Sequence, residues 1–174
     1  MYSDKTTGGH IKKSIYIVHS AVIAAIYIAL TWAFAPISFG HNIFQLRVSE
    51  ALCILPLFTP GAVFGLFAGC FLSNLLFGGL GIIDLVLGSL ATLLGASLTY
   101  ALRKKNPLIA IFPPVIVNAL IVGGYLKFLL FTNIHAYVIM GYTFLGEFLA
   151  VYVLGFPLYL ALKKHASKIF RNNF

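Results

Sequence analysis

The chain alternates long apolar stretches with short groups of glycine, proline and charged residues. Most stretches approach the ~20 residues that an α-helix needs to cross a bilayer, and they hold few charges. Turn residues such as Thr59-Pro60-Gly61 separate them. The six predicted helices run from about Ile15 to Ala35, Phe44 to Phe58, Gly61 to Phe77, Ile82 to Leu102, Pro107 to Leu130 and Ala136 to Leu162. We therefore predict an all-α integral membrane bundle of six transmembrane helices.

The composition agrees with this prediction. Of the 174 residues 60% are hydrophobic and 9% are charged, too few charges to cover the surface of a soluble domain. The first apolar run is longer than the ~7–15 residues of a signal-peptide core, which favours a transmembrane helix over a cleaved signal. We predict one membrane domain over residues 1–174, with an N-terminal tail at 1–14, the bundle at 15–162 and a basic tail at 163–174.

The basic residues predict the orientation of the bundle. With six spans, the termini and the loop at 103–105 share one side, which then carries ten of the twelve Lys and Arg residues. Only Arg47 and Lys127 fall on the other side. Since positive residues favour the cytoplasmic side, both termini are predicted to be cytoplasmic. The basic residues lie at span ends and form no stripe with aromatics, which argues against nucleic-acid binding.

Three of the four acidic residues lie in apolar stretches, namely Glu50, Asp84 and Glu147. A carboxylate in hydrocarbon costs at least ~2.5–3.5 kcal/mol on insertion scales unless it faces a cavity or a partner. Glu50 and Asp84 lie near the outer starts of the second and fourth predicted helices, and Glu147 lies near the middle of the sixth. The pattern predicts one polar binding cavity that opens to the exterior.

Two of the three acids, Glu50 and Asp84, also have a simpler interpretation, and Glu147 has none. Arg47 precedes Glu50 by three residues, so the two side chains can neutralise each other on one helix face, and as candidate substrate-binding residues they can still shape the mouth of the cavity. Asp84 is placed to cap the start of its helix. No basic residue lies within four positions of Glu147, and Gly146 beside it allows a close approach of another group. A ligand-facing role is therefore the preferred interpretation for Glu147.

Further candidate ligand contacts are polar or aromatic. Asn118 lies at a depth comparable to that of Glu147, where it can either bind ligand or join helices by hydrogen bonds. Lys127 can contact ligand or extend its ammonium group to the outer interface. Tyr142 belongs to a group of aromatic residues near the outer ends of the helices, which can line the interface or stack on a flat ligand.

Catalysis and a metal site are not expected. The chain contains no HExxH, GxSxG or Walker motif, so it is not expected to be an enzyme or to hydrolyse ATP by itself. The two cysteines, Cys53 and Cys70, lie in apolar runs without a cluster of further metal ligands. We interpret them as small buried apolar residues and predict no cofactor.

Small residues recur at intervals of four in two helices. The first helix carries Ala21, Ala25 and Ala29, and the third carries Gly61, Gly65 and Gly69. This spacing places small residues on one helix face, so that another backbone can come close. The glycine ladder is expected to pack within the bundle. For the alanine ladder, internal packing and docking of another membrane subunit are both open.

Several longer motifs resemble the QueT family of queuosine-precursor transport proteins. The two most specific are QLRVSEAL at 45–52 and DLVLGSLATLL at 84–94. Shorter similar segments are LPLFTP at 55–60, GLFAGC at 65–70, PPVIVNALIVG at 113–123 and the pair Gly146-Glu147. The resemblance extends from the first helix into the sixth.

The resemblance implies the substrate-binding S-component of an energy-coupling-factor (ECF) importer in a prokaryotic plasma membrane. Such a component has six helices and cytoplasmic termini, and works with a transmembrane T-component and two cytoplasmic ATPases. The resemblance also favours Ala21, Ala25 and Ala29 as the face that docks on the T-component.

The implied ligand is a 7-deazaguanine derivative taken up from outside. We expect Glu147 to accept hydrogen bonds from the ring edge and Asn118 to contact polar ring atoms. Asp84 is expected to meet the substituent or the ring. Two alternatives are an S-component for another small vitamin or purine-like compound and a self-sufficient proton-coupled carrier that uses Glu147 as its relay.

Overall fold

A computed structural model describes residues 5–39, 44–78, 80–166 and 170. The described residues form helices and no strands. The six main helices are α1 (Lys5–Ala33), α2 (Val48–Leu57), α3 (Gly61–Phe77), α4 (Gly81–Ala101), α5 (Pro107–Leu129) and α6 (Ala136–Lys163). A one-turn helix, Ala35–Ser38, follows α1.

Helices occur at the six positions that the hydrophobic pattern predicts, but they differ in length. Four helical segments are long and apolar enough to cross a membrane: the Ser14–Ala33 part of α1, and α4, α5 and α6. The two shorter ones are α2 and α3. The all-helical membrane fold is therefore confirmed, whereas the count of six spans and the orientation of the termini stay predictions.

The second helix differs most from its prediction. It begins at Val48, not near Phe44, and its 10 residues form a 3₁₀ helix. At about 2.0 Å per residue such a helix extends roughly 20 Å, short of the ~30 Å hydrocarbon layer. Residues from Ser49 to Pro56 are all buried, so α2 is an inner element of the bundle.

The helices pack in chain order around α2. Contacts join α1 to α3, α3 to α4, α4 to α5 and α5 to α6. Because α2 contacts α1, α3, α4 and α6, it lies inside this arrangement. We call the end where α1 stops and α4 starts the outer end, and the opposite end the cytoplasmic end, after the predicted orientation.

The glycine ladder of α3 packs against α1, as expected. A Cβ atom at Gly65 would lie 2.7 Å from the carbonyl oxygen of Ser20, and one at Gly69 would lie 2.7 Å from Cβ of Tyr27. Such short distances leave room only for glycine. The ladder therefore brings the backbones of α1 and α3 into direct contact, which confirms internal packing as its role.

Two long helices contain π-helical turns. One covers Asp84–Gly88 in α4, and the other covers Leu149–Gly155 in α6. These turns lie at or directly after two of the acids, Asp84 and Glu147. Since π turns interrupt the regular hydrogen-bond ladder and often occur at functional sites, they direct attention to this part of the bundle.

Candidate functional site

Polar side chains from four helical elements converge inside the bundle. Glu50 of α2, Asp84 of α4 and Asn118 of α5 each expose 2% or less of their surface. Glu147 of α6 also places a carboxylate oxygen in the interior. Arg47, directly before α2, interacts electrostatically with Glu50, Asp84 and Glu147. We call these five residues the polar cluster.

Glu50 is fully engaged by neighbouring donors. Its carboxylate accepts hydrogen bonds from the Tyr27 hydroxyl of α1, from the Cys53 thiol at 2.8 Å and from the Thr92 hydroxyl at 3.3 Å. Thr31 of α1 adds a hydrogen bond to the Ser49 hydroxyl at 2.8 Å. Glu50 therefore ties α2 to α1 and α4, and its carboxylate is already paired.

Arg47 does not form the ion pair with Glu50 that the spacing allowed. The guanidinium group donates to the Cys70 sulfur at 3.5 Å and lies 5.0 Å from the centre of the Phe39 ring. The reason is geometric, since Arg47 lies in extended backbone before α2 begins. The two side chains thus do not share a helix face, and Arg47 points towards α3 and α4.

Only one of the two carboxylate oxygens of Asp84 accepts a hydrogen bond from a described residue. The Tyr125 hydroxyl of α5 donates to Oδ1, whereas Oδ2 is buried without a hydrogen-bond partner among the described residues. Asn74 of α3 donates to the main-chain oxygen of Asp84 at 3.0 Å. The carboxylate thus pairs with a side chain of another helix, and the capping interpretation does not account for it.

Glu147 and Asn118 form the least satisfied part of the polar cluster. The Asn118 amide lies beside the Glu147 carboxylate, yet Oε2 of Glu147 and Nδ2 of Asn118 are buried and have no hydrogen-bond partner among the described residues. Leaving such an atom unpaired costs about 1–3 kcal/mol. Next to Glu147, a Cβ atom on Gly146 would collide with the Gln45 carbonyl oxygen. As predicted, Gly146 permits a close approach, here by the segment before α2.

A small cavity opens beside Arg47 and Asp84 at the outer end. Its volume is about 30 Å³, and its described lining residues are Phe39, Gln45, Arg47, Leu80, Asp84, Tyr125, Leu126 and Leu130. That space is comparable to the volume of one water molecule, whereas drug-sized ligands occupy pockets of roughly 300 Å³ or more. Glu147 is not among these lining residues. A purine-sized ligand that reached both Asp84 and Glu147 would therefore have to displace side chains of the polar cluster.

The structure does not bring two predicted site residues into the polar cluster. Lys127 donates to the main-chain oxygens of Phe131 (at 3.3 Å) and Thr132, just after α5. Tyr142 is 42% exposed on α6. Both positions agree better with the alternatives stated for them, an interfacial lysine and an interfacial aromatic residue.

The alanine ladder faces away from the bundle. Ala21, Ala25 and Ala29 are all exposed, while Ile23 and Tyr27 on the other face of α1 are buried. The ladder therefore does not serve internal packing. Its exposed position is compatible with either a subunit or lipid as its neighbour.

Sequence reasoning did not identify several partners of the acids. Tyr27, Thr92, Asn74 and Tyr125 hold Glu50 and Asp84 by the hydrogen bonds described above. Thr92 and Asn74 carried a usable signal, since each is a polar residue inside an apolar helix. Tyr27 and Tyr125 carried none, because tyrosine is equally common at membrane interfaces.

The cysteines are buried and free, as expected. Both take part in polar contacts: Cys53 donates to Glu50, and Cys70 accepts from Arg47. The interpretation of them as purely apolar residues is therefore incomplete.

Comparison with known proteins identifies the family. Neither a curated protein nor a solved structure matches the chain. The family model described as QueT transporter matches residues 17–164, which is most of the chain. This match confirms the resemblance seen in the sequence motifs, and it confirms that the protein belongs to a transporter family and not to a family of enzymes. The chain is therefore a member of the QueT transporter family.

Proposed function

We propose that this protein is the substrate-binding S-component of an ECF-type importer. It captures a queuosine precursor of the 7-deazaguanine type from outside the cell and delivers it to the cytoplasm. Membership of a transporter family supports this proposal. The sequence contains no nucleotide-binding loop, so ATP hydrolysis falls to partners, namely a transmembrane T-component and two cytoplasmic ATPases.

One observation carries the ligand proposal. Among the described residues, six buried side-chain atoms have no hydrogen-bond partner, and three of them belong to the polar cluster: Oδ2 of Asp84, Nδ2 of Asn118 and Oε2 of Glu147. Buried polar groups are normally hydrogen-bonded, so three such atoms in one interior region need an explanation. A polar ligand that pairs with them supplies one.

A guanine-like base has matching chemistry. Its edge carries adjacent N–H donors, which one carboxylate can accept together, and its carbonyl oxygen needs a donor such as an amide. In this proposal Glu147 accepts from the ring edge and Asn118 donates to the ring carbonyl. Asp84 accepts from the substituent, where a protonated aminomethyl group would neutralise its charge.

The other residues of the polar cluster have supporting roles. Glu50 is already paired with Tyr27, Cys53 and Thr92, so it acts as a positioning residue that holds the start of α2. Arg47 lines the cavity at the outer end together with Asp84. It balances part of the negative charge of the three acids.

The exposed face of α1 is the proposed docking surface. Ala21, Ala25 and Ala29 present small side chains outwards along one stripe, which suits a close approach by a helix of the T-component. The protein is then oriented with both termini in the cytoplasm of a prokaryotic cell. Docking would reorient the loaded bundle, and ATP hydrolysis would reset it.

The test of the ligand site is the substitution Glu147→Gln in the purified protein. The change removes a charge and replaces an acceptor with a donor while it keeps the side-chain size. Hydrogen bonds to charged groups contribute about 1.5–3 kcal/mol, so affinity for a 7-aminomethyl-7-deazaguanine should fall roughly 10- to 150-fold. Isothermal titration calorimetry in detergent measures this directly.

The matched control is Tyr137→Phe on the same helix. Its hydroxyl belongs to a side chain that is 72% exposed, so affinity should change less than about twofold. Unchanged affinity in Glu147→Gln would exclude Glu147 as the main contact.

A thermal-shift panel of deazaguanines, purines and vitamins tests the ligand class, because only a bound ligand raises the melting temperature. Uptake driven by a proton gradient without the ATPases would contradict the ECF mechanism.

A further inference from the structure

A second cavity lies at the cytoplasmic end, apart from the polar cluster. Its volume is about 390 Å³, within the range of ligand-sized sites. It is enclosed by the end of α2, the start of α5 with the loop before it, and the end of α6. The residues that matter for its chemistry are Leu57, Phe58, Arg103, Pro107, Tyr159 and Lys163.

Two cations line this cavity, and none of its described lining residues carries a carboxylate. The guanidinium of Arg103 lies 4.0 Å from the centre of the Tyr100 ring and donates to the Tyr100 carbonyl at 3.0 Å. The ammonium of Lys163 lies 6.0 Å from the centre of the Tyr159 ring. The three acids of the described residues all belong to the polar cluster, and none of them lines the cavity. The positive charge there is available to an anion from outside the chain.

The rest of the wall is aromatic and apolar. The Phe58 ring is stacked between Tyr159, at 5.4 Å, and Phe170, at 5.5 Å between ring centres. Leu57 and Pro107 extend this apolar surface. The cavity therefore combines a cationic side with a hydrocarbon-like wall, which suits a ligand that carries both a negative headgroup and an apolar body.

We propose that this cavity binds the phosphate headgroup of an anionic phospholipid from the cytoplasmic leaflet. The phosphate contacts Arg103 and Lys163, and the glycerol and first methylene groups pack on the Phe58 stack. Basic pockets between helices at this membrane face are suited to anionic headgroups. Free phosphate would pair with the cations but leave the apolar wall unused. The proposal rests on the predicted orientation of the termini, but not on the ligand or the partners proposed above.

The experiment measures lipid retention by the full-length protein. Delipidated protein in detergent is titrated with phosphatidylglycerol, and the bound fraction is read by native mass spectrometry. The double substitution Arg103→Gln with Lys163→Gln should weaken retention by on the order of tenfold or more, since each basic residue near an anionic surface contributes a factor of about five. The charge-conserving pair Arg103→Lys with Lys163→Arg should restore most of it.

The matched control removes two charges that do not line the cavity. Lys104→Gln with Lys105→Gln changes the net charge equally in the adjacent exposed loop, and retention should fall less than twofold. Equal losses in the two double variants would overturn the proposal, because they would indicate general surface attraction. The proposal would also be overturned if phosphatidylcholine were retained as well as phosphatidylglycerol, or if inorganic phosphate bound as tightly as phosphatidylglycerol.

Discussion

The contact between α1 and α3 yields a quantitative prediction for Gly65→Ala. The new Cβ atom would lie 2.7 Å from the Ser20 carbonyl oxygen and 2.9 Å from Cβ of Ile23. Reaching an ordinary contact of 3.4 Å requires a separation of about 0.7 Å from a backbone atom that cannot rotate away. Overpacking of this kind costs about 1–3 kcal/mol.

Part of that cost is offset by the backbone. Replacing glycine by alanine in a helix is favourable by roughly 0.5–1 kcal/mol where space allows. The balance is a net loss of roughly 0–2.5 kcal/mol. For a chain of this size we expect the melting temperature to fall by about 2–4 °C per kcal/mol. Thermal unfolding in detergent, followed by far-ultraviolet circular dichroism, measures this shift.

Gly141→Ala is the matched control. Gly141 also lies inside a helix, but a Cβ atom there meets nothing within 4 Å. This variant should keep the full backbone benefit and melt at the same or a higher temperature. If Gly65→Ala melted at as high a temperature as Gly141→Ala, the close contact of α1 with α3 through the glycine ladder would be refuted.

Two further predictions concern α1. Tyr27→Phe removes one donor from the buried Glu50 carboxylate and should lower stability by about 1–3 kcal/mol in the same melting assay; a melting temperature equal to that of the exposed Tyr137→Phe control would show that the hydrogen bond is not needed. Ala25→Trp places a bulky group on the exposed face of α1, so ligand affinity should stay within about twofold while uptake stops in vesicles that contain the complete importer. Persistent uptake would rule out this face as the docking surface.

The membrane fold was accessible to sequence reasoning because hydrocarbon imposes a simple requirement. Backbone polar groups must be satisfied within each segment, so long apolar stretches become helices. The resemblance to QueT proteins rests on strings such as RVSEAL and GSLATLL, which the family match supports. Helix type was not accessible: nothing in the hydrophobic pattern distinguishes the 3₁₀ helix at Val48–Leu57 from an α-helix.

The candidate site was accessible only in part. Asp84, Asn118 and Glu147 stand out because polar groups in apolar helices are expensive, and each has a buried polar atom that no described residue pairs with. Their spacing does not reveal the long-range partners. Tyr27 is 23 residues from Glu50 along the chain, and Tyr125 is 41 residues from Asp84. Only the packing of helices brings these donors within reach.

The apolar pattern alone thus settles that the chain is a helical membrane protein with acids in its apolar stretches, because the hydropathy of a segment follows from its residue types. Which acid is already paired depends on tertiary contacts. Glu50 is surrounded by donors from α1, α2 and α4, whereas one buried oxygen of Glu147 has no partner in the part of the chain that the structure describes. Hydrogen bonds act over about 3 Å, and distances of that order between separate helices exist only in the folded bundle.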